Sequence, residues 1–248
     1  MLYLIGIGLN SKQITLEALN ALRECSEIFL ENYTSKFSEG SIKDLEKLIG
    51  RKIISLNRIE VEENFSEIHS KAKKENVAVL FYGNVFSATT HIQILLDADE
   101  KQIPVKVFPG ISVFSYLGKT GLSEYKFGKT VSIARWEKNF KPESFFDGIK
   151  ENFERGLHTL CLLDIKAEEN YFMKASEAIE LIEKIDKKKL LNKAKFAALI
   201  GMGSENEKIV FGDKNKIKKV AGENIQSLIV CGKLNEKESE ALNELSIK

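Results

Sequence analysis

The chain has 248 residues, 43% of them hydrophobic, and its 37 lysines and arginines nearly balance 36 aspartates and glutamates. That composition supports one large or two medium globular domains and excludes a disordered tail, while the near-zero net charge removes the global basic field that non-specific nucleic-acid binding needs. No apolar run approaches the ~18 residues of a membrane span and no leader-like segment opens the chain, so the expectation is a soluble protein that binds neither membrane nor nucleic acid directly.

The run Met1–Ile5 predicts a first strand that ends in Gly6-Ile7-Gly8, and a capped helix opens near Thr15. The glycines serve either a tight turn or the close approach of a ligand to the backbone. Strand-like "EIFLENY" and "RKIISL" follow, then the helical "ENFSEIHSKAKKE", the strand "VAVLFYG", the helix "ATTHIQILLDADEKQ" and the strand "PVKVFPGIS". Strands alternating with helices predict βαβ units and a parallel sheet. The small-residue stretch "VFSYLGKTGLSEY" reads as helical, and the domain boundary is placed there, giving residues 1–118 and 119–248.

In the second half "KTVSIARW" reads as a strand, "EKNFKPESFFDG" as a polar loop and "IKENFERG" as a helix. The strand "HTLCLLDIK" and the amphipathic helix "SEAIELIEKIDKKKLL" come next, then strands in "KFAALIGMGS", "EKIVFG" and "QSLIVCGKL" and a short terminal helix. This half predicts mixed pairing. The expected class is therefore α/β, with a parallel-sheet N-terminal domain and a mixed-sheet C-terminal domain.

Ligands of open parallel sheets bind outside the carboxyl ends of the strands. The strand-end turns Gly6-Ile7-Gly8-Leu9, Gly83-Asn84, Gly110-Ile111-Ser112 and Gly201-Met202-Gly203-Ser204 are therefore candidates to line one cleft. "GIGLNS" lacks the third glycine of a dinucleotide fingerprint and no GxxxxGK[ST] occurs, which argues against hydride transfer and nucleotide hydrolysis. Among the histidines, His69 lies on a charged helix and reads as solvated, His91 stands near a helix start, and His158 opens a strand; none has zinc-ligand spacing. Asp164 and Lys166 read either as a strand-end ion pair or as a general acid/base pair. Cys25, Cys161 and Cys231, widely spaced and in apolar contexts, read as buried free thiols in a reducing, cytoplasmic compartment.

Taken in order, "MLYLIGIGL", "ENYTS", "YGNVFSATTH", "PGIS", "KFGKTVSI", "HTLCLLDIK" and "MGSENEKI" resemble the diphthine synthases of the tetrapyrrole methylase superfamily along nearly the whole chain. The most specific pieces are "YTS", "ATTH" and "LLDIK". The resemblance implies a two-domain tetrapyrrole methylase-like fold, a homodimer, and a cofactor cleft between the domains. It also implies an S-adenosylmethionine-dependent methyltransferase, releasing S-adenosylhomocysteine. The acceptor it implies is the amino group of a 3-amino-3-carboxypropyl-histidine in translation elongation factor 2, during diphthamide biosynthesis. Carried over, the cofactor contacts fall on Leu9, Asn84, Ser87, Ser112, Val113, Leu163, Ile200 and Gln226. Asp164 is the candidate proton acceptor, and Tyr33 and Thr34 are candidates for lining the substrate mouth. Several positions depart from the family pattern: Gly83-Asn84-Val85 replaces Gly-Asp-Pro, Pro109-Gly110 replaces a histidine-led pair, Ile200-Gly201 replaces alanine-arginine, and Gln226 replaces a histidine. A superfamily methylase with a tetrapyrrole or RNA substrate, and a silent relative that binds elongation factor, are the competing readings.

Overall fold

The computed structural model describes residues 1–222 and 225–245. The chain divides into two compact units, Met1–Phe114 with Lys166–Glu169, and Ser115–Ile165 with Asn170–Lys248.

In the first unit, β1 (Leu2–Gly6), β2 (Glu27–Glu31), β3 (Ile54–Leu56), β4 (Val77–Phe81) and β5 (Val105–Phe108) form a sheet in the order β3-β2-β4-β1-β5. Every pairing in it is parallel, with Leu4 opposite Val79 on one side and Val107 on the other. All five residues of β1 and of β4 are buried. Leu2, Leu4, Val77, Val79 and Phe81 pack in one apolar cluster, and Tyr3, Ile5, Ala78 and Leu80 in another. Burial on both faces is why these strands are continuous apolar runs rather than alternating ones.

The helices of this unit are α1 (Leu16–Arg23), α2 (Ile42–Ile49), α3 (Arg58–Glu62), α4 (Ser66–Ala72) and α5 (Ile92–Glu100). Thr15 caps α1 as expected, its hydroxyl accepting from the Ala18 amide at 3.1 Å. Capping boxes formed by Ser41 with Asp44 and by Asn57 with Glu60 start the short helices α2 and α3, and α2 also carries an apolar stripe of Ile42, Leu45 and Ile49. His69 differs from expectation. It is 2% exposed and packs edge-on against Phe65, because Phe65, Ile68, His69 and Ala72 share the buried face of α4.

After β6 (Val131–Ile133) and β7 (Thr159–Leu163) of the second unit comes the short β8 (Ile165–Lys166), whose Lys166 groups with the first unit; the second unit continues with β9 (Tyr171–Phe172), β10 (Lys195–Ile200), β11 (Lys208–Gly212) and β12 (Gln226–Cys231). Its main sheet runs β11-β10-β12-β7-β6. Only β6 with β7 is parallel among these pairings, so the sheet is mixed, as the strand-rich sequence predicts. Helices α6 (Ser144–Glu154), α7 (Ala175–Ile185), α8 (Lys214–Lys218) and α9 (Glu236–Leu245) accompany it. Helix α6 begins inside the stretch expected to be loop, since Phe145 and Ile149 bury one helical face. The stretch expected to be helical at Val113–Thr120 is a 3₁₀ segment, closed by the Thr120 hydroxyl donating to the Leu117 carbonyl at 2.6 Å and followed by Gly121 at φ +79°.

Glu238 fastens α9. It is 2% exposed and accepts from the Ser123 and Asn235 amides, from Lys126 at 2.5 Å and from His158 Nε2 at 3.2 Å. The Gly232 amide donates to His158 Nδ1 at 3.0 Å, which places the ring proton of a neutral imidazole on Nε2, facing Glu238. All three cysteines are buried free thiols; burial pushes Cys25 up to about 11 and Cys231 up to about 12. No helix among the described residues is long and apolar enough to cross a membrane.

Candidate active site

The sequence places glycines where β1, β4 and β5 end, and the structure shows why. A methyl group added to Gly110 would sit 2.1 Å from the Gly83 carbonyl oxygen and 2.5 Å from the Gly6 carbonyl carbon. One added to Gly6 would meet the Gly110 amide and the Gly83 carbonyl at 2.6 Å. Three backbone turns thus pack directly on one another, and only residues without a Cβ permit it. At Gly8 the requirement is conformational: φ is +80° and a Cβ would press on Gln13. Gln13 Oε1 accepts from the Leu9 amide at 2.8 Å and fixes the exit of the turn.

This packing gathers candidate residues from three turns. Gly83 has φ +70°, and the place its Cβ would take lies 3.6 Å from the Ser112 Cβ and 3.8 Å from Leu9 Cδ2. Leu9 and Ser112 therefore border one methyl-sized hollow over Gly83. Asn84 Oδ1 accepts from the Phe86 amide at 3.2 Å, and the Asn84 carbonyl accepts from the Ser87 amide at 3.3 Å. An aspartate would brace this turn through the same oxygen, so Asn84 keeps the turn-forming role and loses only the charge. Leu9, Asn84, Ser87 and Val113 are half-buried and Ser112 is buried. Immediately after Ser87, Ala88 adopts φ +58°, an uncommon conformation for alanine that fixes the loop's direction.

In the second unit, Ile200 and Gln226 are directly opposed at one end of the β10/β12 pair, and Leu163 ends β7 next to Leu162, the partner of Ser227. These three candidates are buried and share that end of the sheet. Gln226 is heavily engaged: Oε1 accepts from the Ala175 amide at 2.9 Å and Nε2 donates to the Gly222 carbonyl at 3.0 Å. Asp164 follows at the exit of β7, half-buried, with Oδ2 accepting from the Arg135 amide at 2.9 Å. Lys166, in the segment that groups with the first unit, lies 3.7 Å from Glu169. The turn Gly201–Ser204, with φ positive at Gly201 and Gly203, is closed by Ser204 donating through both amide and hydroxyl to the Gly201 carbonyl.

Tyr33 is 3% exposed and Thr34 is exposed. Both amides donate to Glu31 Oε1, at 2.9 and 2.8 Å, and the Thr34 hydroxyl donates to Glu31 Oε2. Glu31 was not singled out in the sequence, yet this wholly buried carboxylate holds the "YTS" loop; an acid ending the apolar run "EIFL" was the available signal. Tyr33 lines a cavity of ≈ 730 Å³ in the first unit together with Thr89, Thr90 and His91. The two most specific N-terminal sequence pieces, "YTS" and "ATTH", thus meet in one place. His91 Nδ1 lies 3.2 Å from the Val85 carbonyl oxygen, and burial lowers the imidazole's pKa against the opposing pull of Glu31.

Residues 1–217 match the family of Tetrapyrrole (Corrin/Porphyrin) Methylases. The chain is 37% identical to a diphthine synthase of Methanocaldococcus jannaschii, over 99% of this chain and 98% of that one. It is 36% identical to a diphthine methyl ester synthase of Homo sapiens, over 100% of this chain and 95% of the other. A crystal structure of diphthine synthase superposes with a TM-score of 0.90 at 30% identity, covering 99% of this chain and 95% of its own.

Proposed function

The chain belongs to the tetrapyrrole methylase family, among the diphthine synthases, and from that premise we propose how this methyltransferase of diphthamide biosynthesis works. The methyl donor in this reading is S-adenosylmethionine. The acceptor is the amino group of a 3-amino-3-carboxypropyl-histidine in translation elongation factor 2. The observation that carries the cofactor assignment is the convergence of Leu9 and Ser112 over Gly83, which brings an apolar and a hydroxyl-bearing side chain to the meeting point of three glycine turns. A ligand with an adenosine at one end and an amino acid at the other needs such a mixture. Asn84, Ser87 and Val113 supply further polar and apolar contacts, and Leu163, Ile200 and Gln226 are assigned to the same ligand from the second unit.

Bound donor supplies an activated sulfonium methyl, so the protein's task is alignment for in-line displacement more than acid/base chemistry. Rigid backbone turns suit that task, because they hold their groups without paying side-chain entropy on binding. The attacking amine must be neutral, and a nearby carboxylate that accepts its proton favours that form. Asp164 is the assigned acceptor; its backbone is fixed by bonds from its amide to the Ile133 carbonyl and from the Met173 amide to its own carbonyl. Tyr33 and Thr34 are assigned to the acceptor's approach. The working form in this reading is a cytoplasmic homodimer.

Calorimetric titration with S-adenosylmethionine tests the cofactor half of this reading. Saturable heat is expected from the intact chain, and Ser112→Phe, whose ring would fill the hollow over Gly83, should abolish it while leaving the circular dichroism unchanged. Unaltered binding by a folded Ser112→Phe variant would overturn the assignment.

A further inference from the structure

The cavity that joins "YTS" to "ATTH" has a buried floor and a charged rim. Tyr33, Phe65, His69 and His91 form much of the floor, each under 8% exposed. His69 is the unusual member. Both of its ring nitrogens are buried, and neither meets a hydrogen-bond partner in bonding geometry among the described residues. Burial, reinforced by Lys101 and opposed by Asp97, lowers the imidazole's pKa and keeps it neutral. A neutral ring carries one lone-pair nitrogen, and leaving that acceptor buried and unmade costs about 1–3 kcal/mol. Among the described residues none donates to that nitrogen, and a donor entering the cavity would relieve the cost.

The rim selects the kind of donor. Glu62, Glu63 and Asp97 border the cavity against one lysine, Lys101. Arg58 sits just outside, 3.9 Å from Glu62 and with its guanidinium 4.9 Å from the Tyr33 ring centroid. Even with Arg58 included, carboxylates outnumber cations three to two. Arg58 also demonstrates the chemistry, since it is a cation held by a carboxylate and an aromatic face of this same wall. The volume is within the range of sites that enclose small ligands.

We propose that this cavity, between α3, α4 and α5, is a binding site for an alkylammonium or guanidinium group, bonded to the lone-pair nitrogen of His69 and screened by Glu63 and Asp97. The inference stands on the first unit alone and does not depend on the methyltransferase reading. Two sources carry such a group: a lysine or arginine side chain of a protein partner, or a free diamine.

Long-range ¹H–¹⁵N spectra of the histidine rings in the full chain read the site directly, with N-acetyl-lysine amide, N-acetyl-arginine amide and putrescine as probes and N-acetyl-glutamate amide as the anionic control. Saturable shifts of the His69 ring are expected with the cationic probes and none with the control. The rim variant Glu63→Gln/Asp97→Asn should weaken that binding about tenfold or more, equivalent to about 1.4 kcal/mol, with its circular dichroism and its heat of S-adenosylmethionine binding unchanged. Tighter binding of putrescine identifies a free amine as the natural occupant, and tighter binding of the blocked amino acids identifies a partner's side chain. Absence of saturation at millimolar concentrations, an equal response to the anionic control, or undiminished affinity in the double variant would each overturn the proposal.

Discussion

The amide of Gly83 donates to the Gly8 carbonyl at 2.8 Å, and the amide of Gly8 donates back to the Gly83 carbonyl at 3.2 Å. This reciprocal pair is an antiparallel bridge lying beyond the parallel β1/β4 ladder, and it locks two strand-end turns into one piece. Gly110 closes the piece from the other side of β1, so the geometry of the hollow is a property of three backbones rather than of any one side chain.

Gly110→Ala should therefore be severely destabilising, since the new methyl group would lie 2.1 Å from a backbone oxygen that cannot rotate away. Overpacking of this kind costs about 1–3 kcal/mol or more. Gly50→Ala is the comparison. It has φ +76° but open space around it, so only the conformational cost of about 1 kcal/mol applies. Urea unfolding of both variants should show Gly110→Ala losing clearly more stability; equal losses would mean that the turns do not pack as described.

The strands and the turn glycines were legible in the sequence because doubly buried parallel strands are continuous apolar runs and because Gly-x-Gly is rare enough to notice. What the glycines touch was not legible. Gly6, Gly83 and Gly110 are far apart along the chain, and the close approach inferred for a ligand at the first turn is made, at Gly6, by the protein's own backbone. His69 was misread because "SEIHSKAKKE" is charged, yet Phe65, Ile68, His69 and Ala72 follow the i, i+3, i+4, i+7 spacing of one buried helical face. The five-residue helices α3 and α8 announce themselves by their caps, whereas the short α2 carries both a capping box and an apolar stripe. Of the candidate residues, Leu9 and Ser112 are brought together over Gly83, and Ile200 and Gln226 are opposed in register.

Gln226 accepts from the amide that starts α7 and donates to the Gly222 carbonyl, tying both to the end of the β10/β12 pair. Gln226→Leu leaves the Ala175 amide and the Gly222 carbonyl without these partners and should cost about 1–3 kcal/mol of stability. Thermal unfolding of the variant checks this. An unchanged midpoint would show that the two backbone groups find other partners at no cost.

Acid should loosen α9. Burial pushes the Glu238 carboxyl upward, but bonds from Lys126, the Asn235 and Ser123 amides and His158 outweigh it and hold the group at about 2, against an ordinary value of 4.5. A depressed carboxylate contributes stability that is complete above its ordinary value and disappears as pH falls toward the folded one. His158, lowered from 6.5 by burial, acts in the same direction, because the unfolded chain takes up its proton first. Melting temperature should therefore fall between about pH 6.5 and pH 2. Glu238→Gln should be less stable at neutrality and show a shallower decline below pH 4.5; an unaltered slope would remove Glu238 from the account.

A homodimer should sediment at twice the chain mass of 28.0 kDa at micromolar concentration. Tyr125, 99% exposed in the chain alone and next to the apolar stretch Val113–Thr120, is a natural contact for the second copy. Tyr125→Glu should shift the equilibrium toward monomer. A persistent monomer in the unaltered protein would remove the dimer without affecting the cofactor assignment.

Transfer of a labelled methyl group tests most directly the proposal that this methyltransferase acts on a modified histidine of elongation factor 2. With labelled S-adenosylmethionine, elongation factor 2 bearing the 3-amino-3-carboxypropyl-histidine should acquire label on that residue's amino nitrogen, while unmodified factor, which lacks the acceptor amine, should acquire none. Equal labelling of both forms, or labelling of neither by protein that binds the donor, would contradict it.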